Sequence, residues 1–550
     1  MASLDPIQGN LGQKRAAHLL RRTSFRYTKN KVNALANLQA FQSIPSLLAY
    51  ESLKMDQPVY DDSANGLDNA NWILPPGQAL PAQDFVLRPL VISWWLNEAL
   101  NDSGISHKMA LFFHQYMIVD AFSYQNTHFF DYLKLMHWGA LRNFKDLCTK
   151  LVMDNCMIRY LNNQQNTKYN PNENFSREFF ELFTIGKGPQ AGPGDYTNYT
   201  EHDVVEAAKI FTGFRIRGQR DQIDPDTGIP RGYIQTSIHE TSDKTFSERF
   251  QNTTISGGTS STEIYQELLD FIDMIFAQEE VSKNFCRRLY RFFVSRKITD
   301  EIENDIIEPL AATMRNNNYE IKPVLQQLFM SKHFYDEDDS QTDDDVIGGL
   351  IKSPLELMFQ PLSFFNLTIP DPYDDNYNHY QRFWRQAMQD RYLLLSGMSI
   401  FYPDNVAGYP AYHQSPDFHH QWFNSSTIIS RYKMPAILLT GKRSVGTGTN
   451  TTIGGPILNS AVWLRDSNFC SDPTDSYVVV QDLLEYLLPL EVDSARFNYF
   501  LNTVFLDELP PADWTYEWQD FLNSGDDAEV KKMLDRLLYA ILYSPEFQTM

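Results

Sequence analysis

Thr200 opens the run EHDVVEAAKIFT, Asp203 follows it three positions later, and the run stops at Gly213. That is a capping-box-like helix start with a glycine stop. Helical periodicity recurs at 12–22, 84–101, 105–119, 142–161, 173–185, 262–277, 279–295, 301–315, 320–330, 353–365, 476–488 and 527–543. These runs do not alternate regularly with strands, and no fixed-period repeat relates them. The expected fold is therefore mainly α, a large single helical body with a small β-hairpin insertion around 213–250. The best strand material lies there, in RGYIQTSIHET. Four stretches read as surface excursions: 56–83, rich in Pro, Asp, Asn and Gly; 215–260; the acidic 336–347; and the Gly/Thr-rich 441–456.

Composition narrows the classes further. At about 150 residues per domain, 550 residues would make roughly three to four domains, although helical chains of this size are also built as one body. Aromatics reach 14%, with 37 Phe and 29 Tyr, which rules out disorder for most of the chain and suits a thick core or a carbohydrate-type groove. Against 47 Lys and Arg stand 69 Asp and Glu, a net charge of −22, so no nucleic acid partner is expected. Cys148, Cys156, Cys286 and Cys470 cannot form a disulfide scaffold or a four-Cys zinc site. The start has no apolar run of signal-peptide length, and VLRPLVISWWLNEAL is broken by Arg88, Pro89 and Asn97, so no membrane span is expected. The default compartment is the cytoplasm, or the periplasm or exterior if a leader has been removed.

Three segments carry the site chemistry. In NPNENFSREFFELFTIG, helical spacing puts Phe175, Phe179, Leu182 and Phe183 on one face, with Glu178 bordering it. Glu181, one turn on, can converge with Glu178 on one point, as metal sites in helix bundles require. The alternative is a rim carboxylate beside an Arg177–Glu181 surface pair. KMALFFHQYMIVD is apolar almost all round, so His114 is expected to be buried, as a metal ligand or a hydrogen-bonded core histidine. His239, Glu240, Asp243 and Lys244 follow the strand candidate and either complete a metal shell, do acid–base work, or form a polar turn. His18, Arg21 and Arg22 give three donors on about one helical turn, for an anionic ligand or for anchoring the N-terminal helix. In YHQSPDFHHQW, His413, Asp417, His419 and His420 come together, but adjacent histidines face different ways on a helix, so at most one joins any site. The acidic run lacks the glycine and terminal glutamate of a calcium-binding loop.

AAHLLRRTSF, KMALFFHQYM, NPNENFSREFFELFTIGKG, YTEHDVVEAAKIFTGF, HETSDKTF, IKSPLELM, the PDNVAGYP block and LLYAILYSPEFQ occur in an order that resembles the bacterial domain-of-unknown-function 1800 family. The resemblance spans nearly the whole chain, which makes 1–550 one family-type domain. It implies a bacterial protein, often exported and often encoded beside a companion protein of the alkaline-phosphatase superfamily, and brings no established reaction. By position it marks His18, Arg21, Arg22, His114, Asn172, Glu173, Asn174, Arg177, Glu178, Glu181, His239 and Lys244. Where the family commonly reads F-W-H-N-H-F, this chain has Tyr116 in place of a second histidine. Where the family has His-Asp, it has His239-Glu240.

Two functional readings stand. One is an enzyme with a buried His/carboxylate centre acting on a polar or anionic substrate. His114, Glu178, Glu181, His239 and Glu240 would bind a divalent transition metal (zinc, manganese or iron). Glu178, His239, Arg177 and Lys244 would be catalytic, and His18, Arg21, Arg22, Asn172 and Asn174 would bind substrate. The other is a non-catalytic binding or assembly protein whose buried polar network is structural. Both expect no duplex binding: a mobility-shift assay with random DNA at micromolar protein and physiological salt should show no complex.

Overall fold

The computed structural model describes residues 1–49, 59–62, 67–71, 76–77, 84–121, 126–193, 195–338, 346–370, 380–440 and 458–550. Helices dominate it, and strands occur only as short antiparallel pairs, so the fold is mainly α. The Thr200 reading holds in detail. Its hydroxyl accepts from the Asp203 N–H, the Asp203 carboxylate accepts the Thr200 N–H at 2.8 Å, and the helix runs Glu201–Ile210. Ser260 with Glu263 starts the Ser261–Phe276 helix in the same way, and Ser353 with Glu356 starts Pro354–Phe364. Each such cap contributes about 1 kcal/mol.

In the insertion, Phe214–Arg215 pairs with Tyr233–Ile234, and Lys244–Thr245 pairs with Thr254–Ile255, so strand pairing extends past 250. RGYIQTSIHET yields only the strand Tyr233–Ile234 before turning into a 3-10 segment at Thr236–Ile238. Gly213 explains the tight turn-in. Its φ is +84°, and a Cβ there would lie 2.9 Å from the Gln235 carbonyl oxygen and 3.3 Å from the His239 Cβ. Two further pairs were not foreseen, Val59–Asp62 with Leu67–Asn71 and Gln190–Gly192 with Asp195–Tyr196. Within the expected excursions, 441–456, 339–345 and most of 56–83 lie outside the described residues.

Several periodic runs are divided. The 142–161 run becomes Phe144–Val152 and Asn155–Tyr160, because Asp154 caps the second helix by accepting the Met157 N–H at 2.8 Å. The 173–185 run is α-helical only over Asn174–Glu178 and winds as a π-helix over Phe179–Phe183. The Thr184 hydroxyl donates to the Phe179 carbonyl at 2.7 Å, closing the widened turn. Helices at Lys29–Ala36, Ala40–Leu47, Asn126–Gly139, Ile428–Thr440 and Pro511–Ser524 are additional.

One contiguous apolar cluster runs from Ala2 to Phe547. Aromatic rings interlock within it: Phe175 meets Phe211 edge-on at 4.8 Å, and Phe211 meets Phe271 edge-on at 5.3 Å. The two ends of the sequence are stitched together. Arg21 donates to the Tyr486 and Leu488 carbonyls at 2.8 and 2.7 Å, and the Lys352 N–H donates to the Gln548 carbonyl at 2.9 Å. Among the described residues no helix is long and apolar enough to cross a membrane.

Candidate functional site

A cavity of about 310 Å³ opens between the Ser106–His114, Glu279–Phe293 and Pro354–Phe364 helices and the 407–422 segment. Its volume is in the range of small-molecule sites. It shares Leu182, Asn284, Arg288, Ala407 and His413 with an outer groove of about 770 Å³, where Glu181 and Lys187 also line the wall. Segments far apart in sequence thus converge on one space: Gln115 and Tyr116, Leu182, Ser353 and Glu356, Tyr412 and His413, and His419.

Its electrostatics run against the charge of the chain. Glu356 is the one carboxylate side chain among the cavity's lining residues, and it is already engaged. One oxygen faces the Lys108 ammonium at 2.6 Å, and the other accepts the Ser353 N–H at 2.7 Å. Lys108, Lys352, Arg22 and Arg431 are all buried and all feel the Glu356 charge. Burial pulls Arg22 and Arg431 down to about 9. Each has one nitrogen bonded to a carbonyl, of Val346 and Lys352 respectively, while among the described residues Nε and Nη1 of both have no hydrogen-bond partner. Arg288 lies over the Tyr116 ring at 4.6 Å and Arg291 over Phe418 at 4.9 Å, and among the described residues neither makes an ion pair with a carboxylate. Burial and the neighbouring Arg287 and Arg288 bring Arg291 down to about 10. His419 accepts the Ile351 N–H at Nδ1, which leaves its proton on Nε2, a buried donor with no partner among the described residues.

The residues expected from sequence are distributed more widely. His114 is buried as expected, with Nδ1 3.0 Å from the Tyr132 hydroxyl, and burial drops it to about 3. His239 is fully buried elsewhere, its Nε2 3.1 Å from Glu267 and its Nδ1 2.8 Å from the Thr212 carbonyl. The Lys244 ammonium meets the other Glu267 oxygen at 2.6 Å, so the pair of hairpin residues is neutralised by a helix carboxylate that sequence reasoning missed. Glu240 faces outward and accepts the Ser242 N–H. Arg177 makes a bidentate pair with Glu201, both contacts 2.6 Å, and not the pair with Glu181 that even helical winding suggested. The π-turn is the reason: it rotates Glu181 away to Lys187, 3.3 Å from its ammonium, and to the Tyr199 hydroxyl. Burial and the Glu181 charge raise Glu178 to about 7. Asn172 accepts the Asn174 N–H, and Asn174 donates to the Leu161 carbonyl. His18 reaches the Phe334 carbonyl at 2.9 Å. Of the adjacent histidines, only His419 lines the cavity, together with the more distant His413.

Among the described residues, the group of three donors close enough to hold a metal is Asp102, His107 and His137, all buried. None of His114, Glu178, Glu181, His239 and Glu240 belongs to it, and the expected five do not gather as one ligand set.

The family model of the protein of unknown function DUF1800 matches residues 18–549. The chain belongs to the DUF1800 family. No curated protein and no solved structure matches it. In this DUF1800 protein the cavity brings together residues from the segments around 112–116, 182, 284–292, 350–356 and 407–422.

Two outcomes follow for its polar groups. Glu267→Gln removes the charge that His239 and Lys244 share and should destabilise the fold by about 3–5 kcal/mol in urea titrations. Glu178 carries a raised pKa, so the native state binds its proton more tightly than the unfolded chain. Its contribution is full near pH 4 and is lost as pH rises to about 7. Glu178→Gln should therefore raise the melting temperature at pH 8 relative to wild type and change it little at pH 5.

Proposed function

We propose that this protein is an enzyme acting on a small polar, anionic substrate held in the cavity between Arg288, Arg291, His413 and Glu356. The observation that carries the reading is that Arg288 and Arg291 line the cavity while its one lining carboxylate side chain, Glu356, is already engaged by Lys108, in a chain whose net charge is −22. Two guanidinium groups on the wall beside a carboxylate that is already paired leave net positive charge facing the space, which favours anions. Arg288 and Arg291 reach the space as planar donors suited to carboxylate or phosphate oxygens. Glu178, raised to about 7 and set next to the groove-lining Glu181, is a carboxyl that exchanges a proton near neutral pH, as a general acid or base must. Lys187 and Asn284 would orient the polar remainder of the substrate along the groove.

A second reading has its own support. The His239–Glu267–Lys244 cluster is sealed and internally paired, as a structural network would be. For those residues the structural role is the one proposed.

Phosphate, sulfate and citrate, compared with chloride at matched ionic strength, test the anion reading. The wild-type melting temperature should rise with concentration of at least one of them. Arg291→Gln and Arg288→Gln should weaken that response by about tenfold or more in concentration. Equal responses in wild type and both variants would overturn it.

A further inference from the structure

A second centre lies apart from the cavity, beneath the start of the Ser106–His114 helix. The Asp84–Asn101 helix delivers Asp102, the first turn of Ser106–His114 delivers His107, and the last turn of Asn126–Gly139 delivers His137. Their exposures are 7%, 5% and 2%. Asp102 is held firmly: one carboxylate oxygen accepts the Gly104 N–H at 2.7 Å, the other accepts the His107 N–H at 2.9 Å and faces the His107 Nδ1 at 2.7 Å. These hydrogen bonds hold its carboxyl well below the usual range, so it is anionic. His107 Nε2 is buried and has no hydrogen-bond partner among the described residues. The two imidazole rings meet edge-on at 4.8 Å, and Trp95 stands edge-on to His107 at 5.7 Å.

We propose that Asp102, His107 and His137 bind one divalent transition-metal ion that clamps these three helices together. One donor atom from each residue lies within 4.8 Å of the others, and a tetrahedral zinc shell needs about 3.4 Å between ligands, so binding would draw the three side chains closer together. Two imidazoles and one carboxylate suit zinc, manganese or iron and disfavour calcium and magnesium. Neither the cavity nor the groove reaches this centre, so the ion acts as a structural clamp and not as the reaction centre. The inference is independent of the anion reading. It also places the metal on residues other than His114, Glu178, Glu181, His239 and Glu240.

The test uses untagged full-length protein, since a histidine tag would bind metal itself. After apo-protein is exposed to zinc or cobalt and desalted, elemental analysis should find about one equivalent per chain, and cobalt should give a visible ligand-field band. Stripping with dipicolinate should lower the melting temperature, and zinc should restore it. His137→Gln should lose the equivalent, whereas His114→Gln should keep it. Wild type that holds no zinc or cobalt after desalting, or His137→Gln that keeps the full equivalent, would overturn the proposal. If His137→Gln does not fold, the wild-type metal content and the stripping response decide: no bound metal, or a melting temperature indifferent to chelator and zinc, is a refutation.

Discussion

The Glu356 carboxylate is the charge on which the interior depends. It caps its own helix through Ser353, pairs with Lys108, and lends its field to Arg22, Lys352 and Arg431. These cations come from the N-terminal helix, the Ser106–His114 helix, the segment before Pro354 and the Ile428–Thr440 helix. A single negative charge in low dielectric therefore orders four separate parts of the chain. Such an arrangement adds little net stability relative to an apolar core, because desolvation offsets most of the attraction. What it supplies is directionality, since each cation must also find carbonyls at fixed places: Val346 for Arg22, Phe547 for Lys352, Lys352 for Arg431.

Much of the fold could be read from period and caps. Thr200, Ser260 and Ser353 each announce a helix that exists, and the apolar setting of His114 correctly placed it inside. What escaped reading was set by tertiary context. Phe179–Phe183 obeys α-helical spacing on paper, but its π-winding sends Glu181 to Lys187 and leaves Arg177 to Glu201. NTHFFDYLKLMHWG is so apolar on all sides that no face stood out, and His137 was passed over with it.

Glu267 had a signal that went unused. In STEIYQELLDFIDMIF it sits three residues after Ile264 and four before Phe271, on the buried face of its helix, the logic that singled out Glu178. Glu356 sits three residues before the buried Phe359 in the same way. Charged residues on apolar faces were therefore a legible class. Which of them shared a space was not, because that depends on how helices separated by a hundred residues or more pack together.

The bonds from Arg21 to Tyr486 and Leu488, and from Lys352 to Phe547 and Gln548, also bear on how the protein is made. A ribosome delivers the segments bearing these cations long before the carbonyls that receive them. Until residues near 486 and 547 emerge, a nascent chain carries Arg21 and Lys352 with partners still unsynthesised, and loop closure over more than four hundred residues must follow. Maturation of the interior thus waits on late-synthesised residues, and the interval before it is when the aromatic surfaces of this chain are open to aggregation.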